Sequence, residues 1–191
     1  MGEILRKMKE VINLIRSDYY RYKGGERKIP VYKLLVYLFF GRNNSFNYSF
    51  WLRLSHKKSI FFPLAKFMHW RLSKKYCMQI PSQCKIGYGL YLGHGVCMIV
   101  NSGTIIGNNV NLSQFLNIGT NHGTPAVIGD NVYIGPNVCI VEDVKIGNNS
   151  CIGAGAVVVK DVPENTTVGG VPAKVISNKP HNYVDRRWPV P

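Results

Sequence analysis

The hydrophobic pattern of the chain changes once, near residue 80. Upstream, apolar residues recur at helical spacing, as with Ile4, Met8, Val11, Ile12 and Ile15 in EILRKMKEVINLIRSDYYRY. VYKLLVYLFF and FNYSFWLRLSHKKSIFFPLAKFMHWRLSKKY read as further helices, with a break at Gly41–Asn44 and an interruption at Pro63. Downstream the period becomes six. Ile80, Ile86, Leu92, Val100, Ile106, Leu112, Ile118, Ile128, Ile134, Ile140, Ile146, Ile152 and Val158 form one aliphatic series. A glycine often follows each, and four places on comes another small or apolar residue, such as Val110, Leu116, Val132 or Ala156. A sustained six-residue period predicts a parallel β-helix: each hexapeptide is a short strand plus a turn, and three of them close one triangular coil. The aliphatic series then points inward and stacks from coil to coil, with glycine serving the corners.

The beat slips twice. Leu92 to Val100 spans eight residues, and Ile118 to Ile128 spans ten. Excess residues in a solenoid become surface loops, often on the binding side. His94 lies beside the first excess and His122 inside the second. They are the two histidines of the repeat region, and their offset of little more than one coil is compatible with proximity inside one subunit.

These patterns predict a mainly β protein with three parts. Residues 1–79 form a helical, basic, aromatic-rich region, residues 80–177 the β-helix, and residues 178–191 an extended tail. Charge sharpens the first division. Of the net +14 charge, residues 1–80 carry 17 Lys/Arg against 4 Asp/Glu, along with 16 of the 22 aromatic residues. Such a segment has three readings: a solvated helical face, a nucleic-acid surface, or a face on anionic lipid. No nucleic-acid motif is present. The apolar run Leu34–Phe40 is too short to span a bilayer, which needs about 20 residues. The N-terminus has scattered charges and no apolar h-region, which predicts a cytoplasmic location. Five cysteines without a C-x-x-C pair predict reduced thiols.

The hexapeptide run ending in GAGAVVVKDVPENTTVGGVPAKVI resembles the left-handed β-helix acyltransferases. The LGHG segment, the helical N-terminus with IRSDYYRY and YSFWLRLSH, and this ending resemble the serine acetyltransferase subgroup. Within it they are most similar to bacterial polysaccharide-biosynthesis O-acetyltransferases of the colanic acid type. The likeness covers residues 80–177 well and residues 1–79 loosely.

The resemblance implies an acetyl-CoA-dependent O-acetyltransferase with His94 as general base. It implies acceptor contacts from His122, Asp18 and Gln79, and CoA contacts at Gly119, Pro136, Ala154, Lys160 and Lys174. It also implies a homotrimer with active sites between subunits, a pairing of trimers through the helical region being a further option. No metal is implied; a metal-dependent hydratase on this scaffold needs three histidines, and the repeat has two. Histidine suits the chemistry on independent grounds, because its pKa lies near neutrality and a hydroxyl must lose its proton as it attacks a thioester.

Two positions depart from the serine enzymes. They carry an aspartate where this chain has Gln79 and another where it has Gly93. That favours a sugar hydroxyl in surface polysaccharide assembly, carried on a glycan or a polyprenyl-linked oligosaccharide. Serine or another small molecule is the alternative. For Asp18, a helix-end cap competes with the acceptor role. A lipid-linked acceptor would also give the basic aromatic region a use, as a peripheral contact with an anionic membrane.

Overall fold

The computed structural model describes residues 2–26, 28–41, 43–56 and 61–190. Four helices come first: α1 (Gly2–Lys23), α2 (Val31–Phe40), α3 (Asn44–His56) and α4 (Phe62–Tyr76). Pro63 opens α4 rather than interrupting a helix, because a proline in the first turn lacks only an N–H that would have no intrahelical partner. A left-handed parallel β-helix of about four coils follows.

Its strands fall into three sheets, one per side of the triangle. Sheet I holds β1 (Lys85–Ile86), β4 (Ile105–Ile106), β7 (Val127–Ile128) and β10 (Lys145–Ile146). Sheet II holds β2 (Tyr91–Leu92), β5 (Asn111–Leu112), β8 (Tyr133–Ile134), β11 (Cys151–Ile152), β13 (Thr167–Gly169) and β14 (Lys174–Ser177). Sheet III holds β3 (Ile99–Val100), β6 (Asn117–Ile118), β9 (Cys139–Ile140) and β12 (Val157–Val158). All pairings between these strands are parallel except β13 with β14, where the chain folds back as a hairpin.

The aliphatic series is the second residue of each strand, and it stacks in register. Leu92, Leu112, Ile134 and Ile152 form one column, and Val100, Ile118, Ile140 and Val158 another. These residues are buried. Ile86 is the exception, half-buried at the uppermost strand of sheet I. The second apolar set, including Val110, Leu116, Val132, Val138 and Ala156, is buried as well. Glycine does not serve every corner. Left-handed backbone between sheets I and II is taken by Asn109, Asn131, Asn149 and Asn165, with φ of 55° to 57°. Asparagine tolerates this region by bonding locally, and down the corner the Asn131 amide donates to Asn149 Oδ1 and the Asn149 amide to Asn165 Oδ1. Glycine at Gly107 answers a different need, since a Cβ there would lie 2.6 Å from the Gly129 carbonyl carbon one coil below.

The helices cover the open top of the solenoid. Strand β2 has a free edge there, which would leave backbone donors unpaired. α1 supplies the partners: Gly89 N donates to Ser17 Oγ, Leu90 N to Asp18 Oδ1 and Leu92 N to the Tyr22 hydroxyl, at 2.8–2.9 Å. α3 lies beneath the other helices, with Phe46, Tyr48 and Leu52 buried. The C-terminal segment is docked on the solenoid. Tyr183 lies on Tyr133 at 5.0 Å between ring centres, Val184 is buried, and Trp188 exchanges two hydrogen bonds with Asn109. All five cysteines are free, and burial pushes the Cys84 thiol up to about 11.

Candidate active site

The first slip builds the turn that carries His94. This turn joins β2 to β3 at the corner between sheets II and III. His94, Gly95 and Cys97 all have positive φ, at 60°, 52° and 52°. For a non-glycine residue that conformation costs about 1 kcal/mol. The two extra residues push the turn up against the helices. A Cβ on Gly95 would lie 3.0 Å from Ser45 Cα, and Cys97 N donates to the Tyr76 carbonyl at 3.0 Å. The start of α3 and the end of α4 therefore fix the bulge from outside the solenoid, and the His94 side chain stays exposed.

It opens onto a cavity of about 490 Å³. Three tyrosines (Tyr22, Tyr91 and Tyr133) line it, together with Asn43, Asn44, Ser45, Ser113, Gln114 and Pro136. Among the described residues, no carboxylate lines it. The Tyr22 hydroxyl is pushed up by burial, which keeps it protonated.

Pro136 and Ala154 occupy the same corner as His94, two and three coils below it. Gly155 N donates to the Pro136 carbonyl at 2.9 Å, and Ala154 and Gly155 are exposed. Below His94 the corner thus carries Ser113 and Gln114, then Pro136, then the exposed Ala154, and the cavity reaches as far as Pro136. Gly119, His122 and Lys160 sit elsewhere, at the corner between sheets III and I. Within one chain the two histidines are not brought together: they lie at opposite edges of sheet III.

The second slip is held by acids that the sequence reading passed over. The Glu142 carboxylate accepts hydrogen bonds from the backbone N–H of Asn121 and His122 and from the Thr120 hydroxyl. These backbone donors hold its pKa down to about 2. Asp143 accepts from Thr124 N and Thr124 Oγ1 at 2.8 and 2.7 Å. The available signal was an acidic pair one coil beyond a polar insertion, at the same corner.

The remaining candidates are scattered. Asp18 is fully buried, so the expected acceptor contact meets a side chain beneath the surface. Arg53 donates to both of its oxygens, and Leu90 N to one of them. Burial raises this carboxyl, while Arg53 and the Leu90 N–H pull it back. Gln79 is exposed beside Ile99 on sheet III and lines a separate cavity with Ser73, Lys74, Cys77 and Cys97. Lys174 is exposed on β14, at the far end of the solenoid. Among the described residues, no group of three His, Cys, Asp or Glu side chains could hold a metal ion.

Comparisons with known proteins agree with this architecture. Residues 125–160 match the family described as bacterial transferase hexapeptide (six repeats). Serine acetyltransferase 3, mitochondrial, of Arabidopsis thaliana is 35% identical over 123 residues, which are 61% of this chain and 31% of that protein. The crystal structure of serine acetyltransferase from Brucella abortus strain S19 superposes with a TM-score of 0.74 at 26% identity, covering 94% of this chain and 74% of that one. The Neisseria gonorrhoeae serine acetyltransferase, solved in complex with serine, gives 0.69 at 30% identity, covering 91% and 70%. The chain spans 31% to 62% of the length of the first curated relatives it matches. The repeat, its stacked coils and these likenesses together establish that the chain belongs to the hexapeptide-repeat transferase family.

Proposed function

We propose that the protein transfers an acetyl group from acetyl-CoA to a hydroxyl, with His94 as general base. The observation that carries this reading is the exposed His94 on a cavity that also takes in Pro136, at the corner that continues to the exposed Ala154. In the proposed step the imidazole takes the proton of the acceptor hydroxyl as its oxygen attacks the thioester carbonyl carbon. The tetrahedral intermediate collapses, the C–S bond breaks, and the imidazolium returns the proton to the departing CoA sulfur. Backbone N–H groups of the irregular turn are the candidate partners for the oxyanion.

A single chain holds two half-sites, at the two edges of sheet III. A cyclic assembly would join one copy's His94 corner to the next copy's Gly119, His122 and Lys160 corner. Exposed apolar residues support this: Ile99, Phe115, Val141 and Val159, on sheet III and its corners, are exposed by 37% to 54%. A trimer is the proposed state. In it, Gly119, Pro136, Ala154 and Lys160 are the proposed CoA contacts, and His122 is the proposed acceptor contact.

The relatives' names weigh towards serine as the acceptor, against the glycan expected from the subgroup likeness. A sugar hydroxyl is kept as the second reading on one observation. Among the described residues, the His94 cavity combines three tyrosines with neutral amides and offers no carboxylate for an ammonium group. Thiol release from acetyl-CoA, measured with serine and with a panel of free and lipid-linked sugars, separates the two. Turnover on serine alone removes the second reading, turnover on a sugar alone removes the first, and no thiol release with any hydroxyl acceptor contradicts both.

A further inference from the structure

Helix α2 turns its apolar side outward. At about 100° per residue, Leu34, Tyr37 and Leu38 share one side, and Leu34 and Leu38 are buried there. The opposite arc carries Val31, Tyr32, Leu35, Val36, Phe39 and Phe40, exposed by 40% to 78%. A surface helix of a globular protein normally shows water a polar face. On α4 the outward arc repeats the theme: Leu64, Phe67 and Trp70 are more than half exposed, followed by exposed Arg71, Lys74 and Lys75.

The charge is one-sided as well. Between Glu26 and Asp130 the chain has no carboxylate side chain, so α2, α3 and α4 carry cations only. A second copy docked on this face would bring like charges together. An anionic lipid surface would complement the cations and take the rings at its headgroup boundary. With ten residues, α2 is about 15 Å long, half of the roughly 30 Å hydrocarbon core. Among the described residues, no helix is long and apolar enough to cross a membrane.

We infer that the outward face of α2, with the exposed Lys28 and Lys33 next to it in the chain, docks the protein peripherally on an anionic bilayer, with Phe39 and Phe40 entering the interface. This goes beyond acetyl transfer and holds whichever hydroxyl is the acceptor.

The test uses the full chain with vesicles of phosphatidylcholine alone, or with roughly a third phosphatidylglycerol. The protein should sediment with the phosphatidylglycerol vesicles at low salt and be released as salt rises. The Phe39→Ser/Phe40→Ser variant, with its helical circular dichroism intact, should bind at least about tenfold more weakly. No sedimentation at low salt, or unchanged binding by the double variant, would overturn the inference. So would a wild-type assembly twice the size of the variant's without vesicle binding, which would give the face to a second copy.

Discussion

The Asp18 carboxylate and the Arg53 guanidinium meet through two parallel 2.9 Å contacts, Nε to Oδ2 and Nη2 to Oδ1, with both side chains buried. Arg53 also donates to the carbonyls of Ile86 and Gly87, and Asp18 accepts from Leu90 N. One ion pair thus ties α1 and α3 to the first coil. Removing one partner leaves a buried charge uncompensated, which costs about 3–5 kcal/mol. Asp18→Asn and Arg53→Met should each lower the unfolding free energy by that order, read from denaturant titration. The double variant should cost clearly less than the sum, and simple additivity would show that the pair does not act as a unit.

Gly95 sets how closely the His94 turn approaches α3. A Cβ there meets Ser45 Cα at 3.0 Å on a backbone with φ of 52°. Gly95→Ala should destabilise by about 1–2 kcal/mol and lower turnover by displacing His94. Unchanged stability and turnover would show that this close approach is not needed.

The Glu142 clasp gives a pH dependence with a definite sign. Its pKa is held down to about 2, from an ordinary value of 4.5, by backbone donors of the 119–126 loop. A depressed carboxyl contributes stability above its unfolded pKa and loses it as pH falls towards the folded one. Amide exchange at Asn121 and His122 should therefore accelerate below about pH 4.5, beyond the intrinsic trend, as pH falls towards 2. In Glu142→Gln that acid-linked step should disappear. Persistence of the step would assign it to another group, Asp143 being the neighbour to test.

If sheet III joins copies of the chain, a charge at its exposed Ile99 should separate them. Ile99→Asp should reduce the assembly size in light scattering and lower turnover by more than about tenfold, with the β-sheet signal retained. A monomeric variant with full activity would place the whole site in one chain.

Much of this architecture is legible from a single fact about side chains. The inward position of each hexapeptide, from Leu92 to Val158, must be aliphatic to stack, so its period survives in the sequence. The two slips at His94 and His122 stood out because the period around them was strict. What makes the slips into structures was not legible. Ser45 and Tyr76 support the His94 turn from helices far along the chain, and Glu142 reaches the second loop from one coil away. Asparagine at the corners was missed because it substitutes for glycine through local hydrogen bonding. The separation of His94 from His122 needed the coil geometry itself: offset along the chain does not say which corner of a triangle a residue occupies.

The proposed acetyl transfer turns on base catalysis by His94. The most direct test is thiol release from acetyl-CoA by His94→Ala beside the unmodified protein, with serine and sugar acceptors and with CoA binding followed in parallel. Loss of the base should lower kcat by about two to four orders of magnitude, with the fold and CoA binding unchanged. Turnover by His94→Ala within a fewfold of the unmodified protein would contradict it.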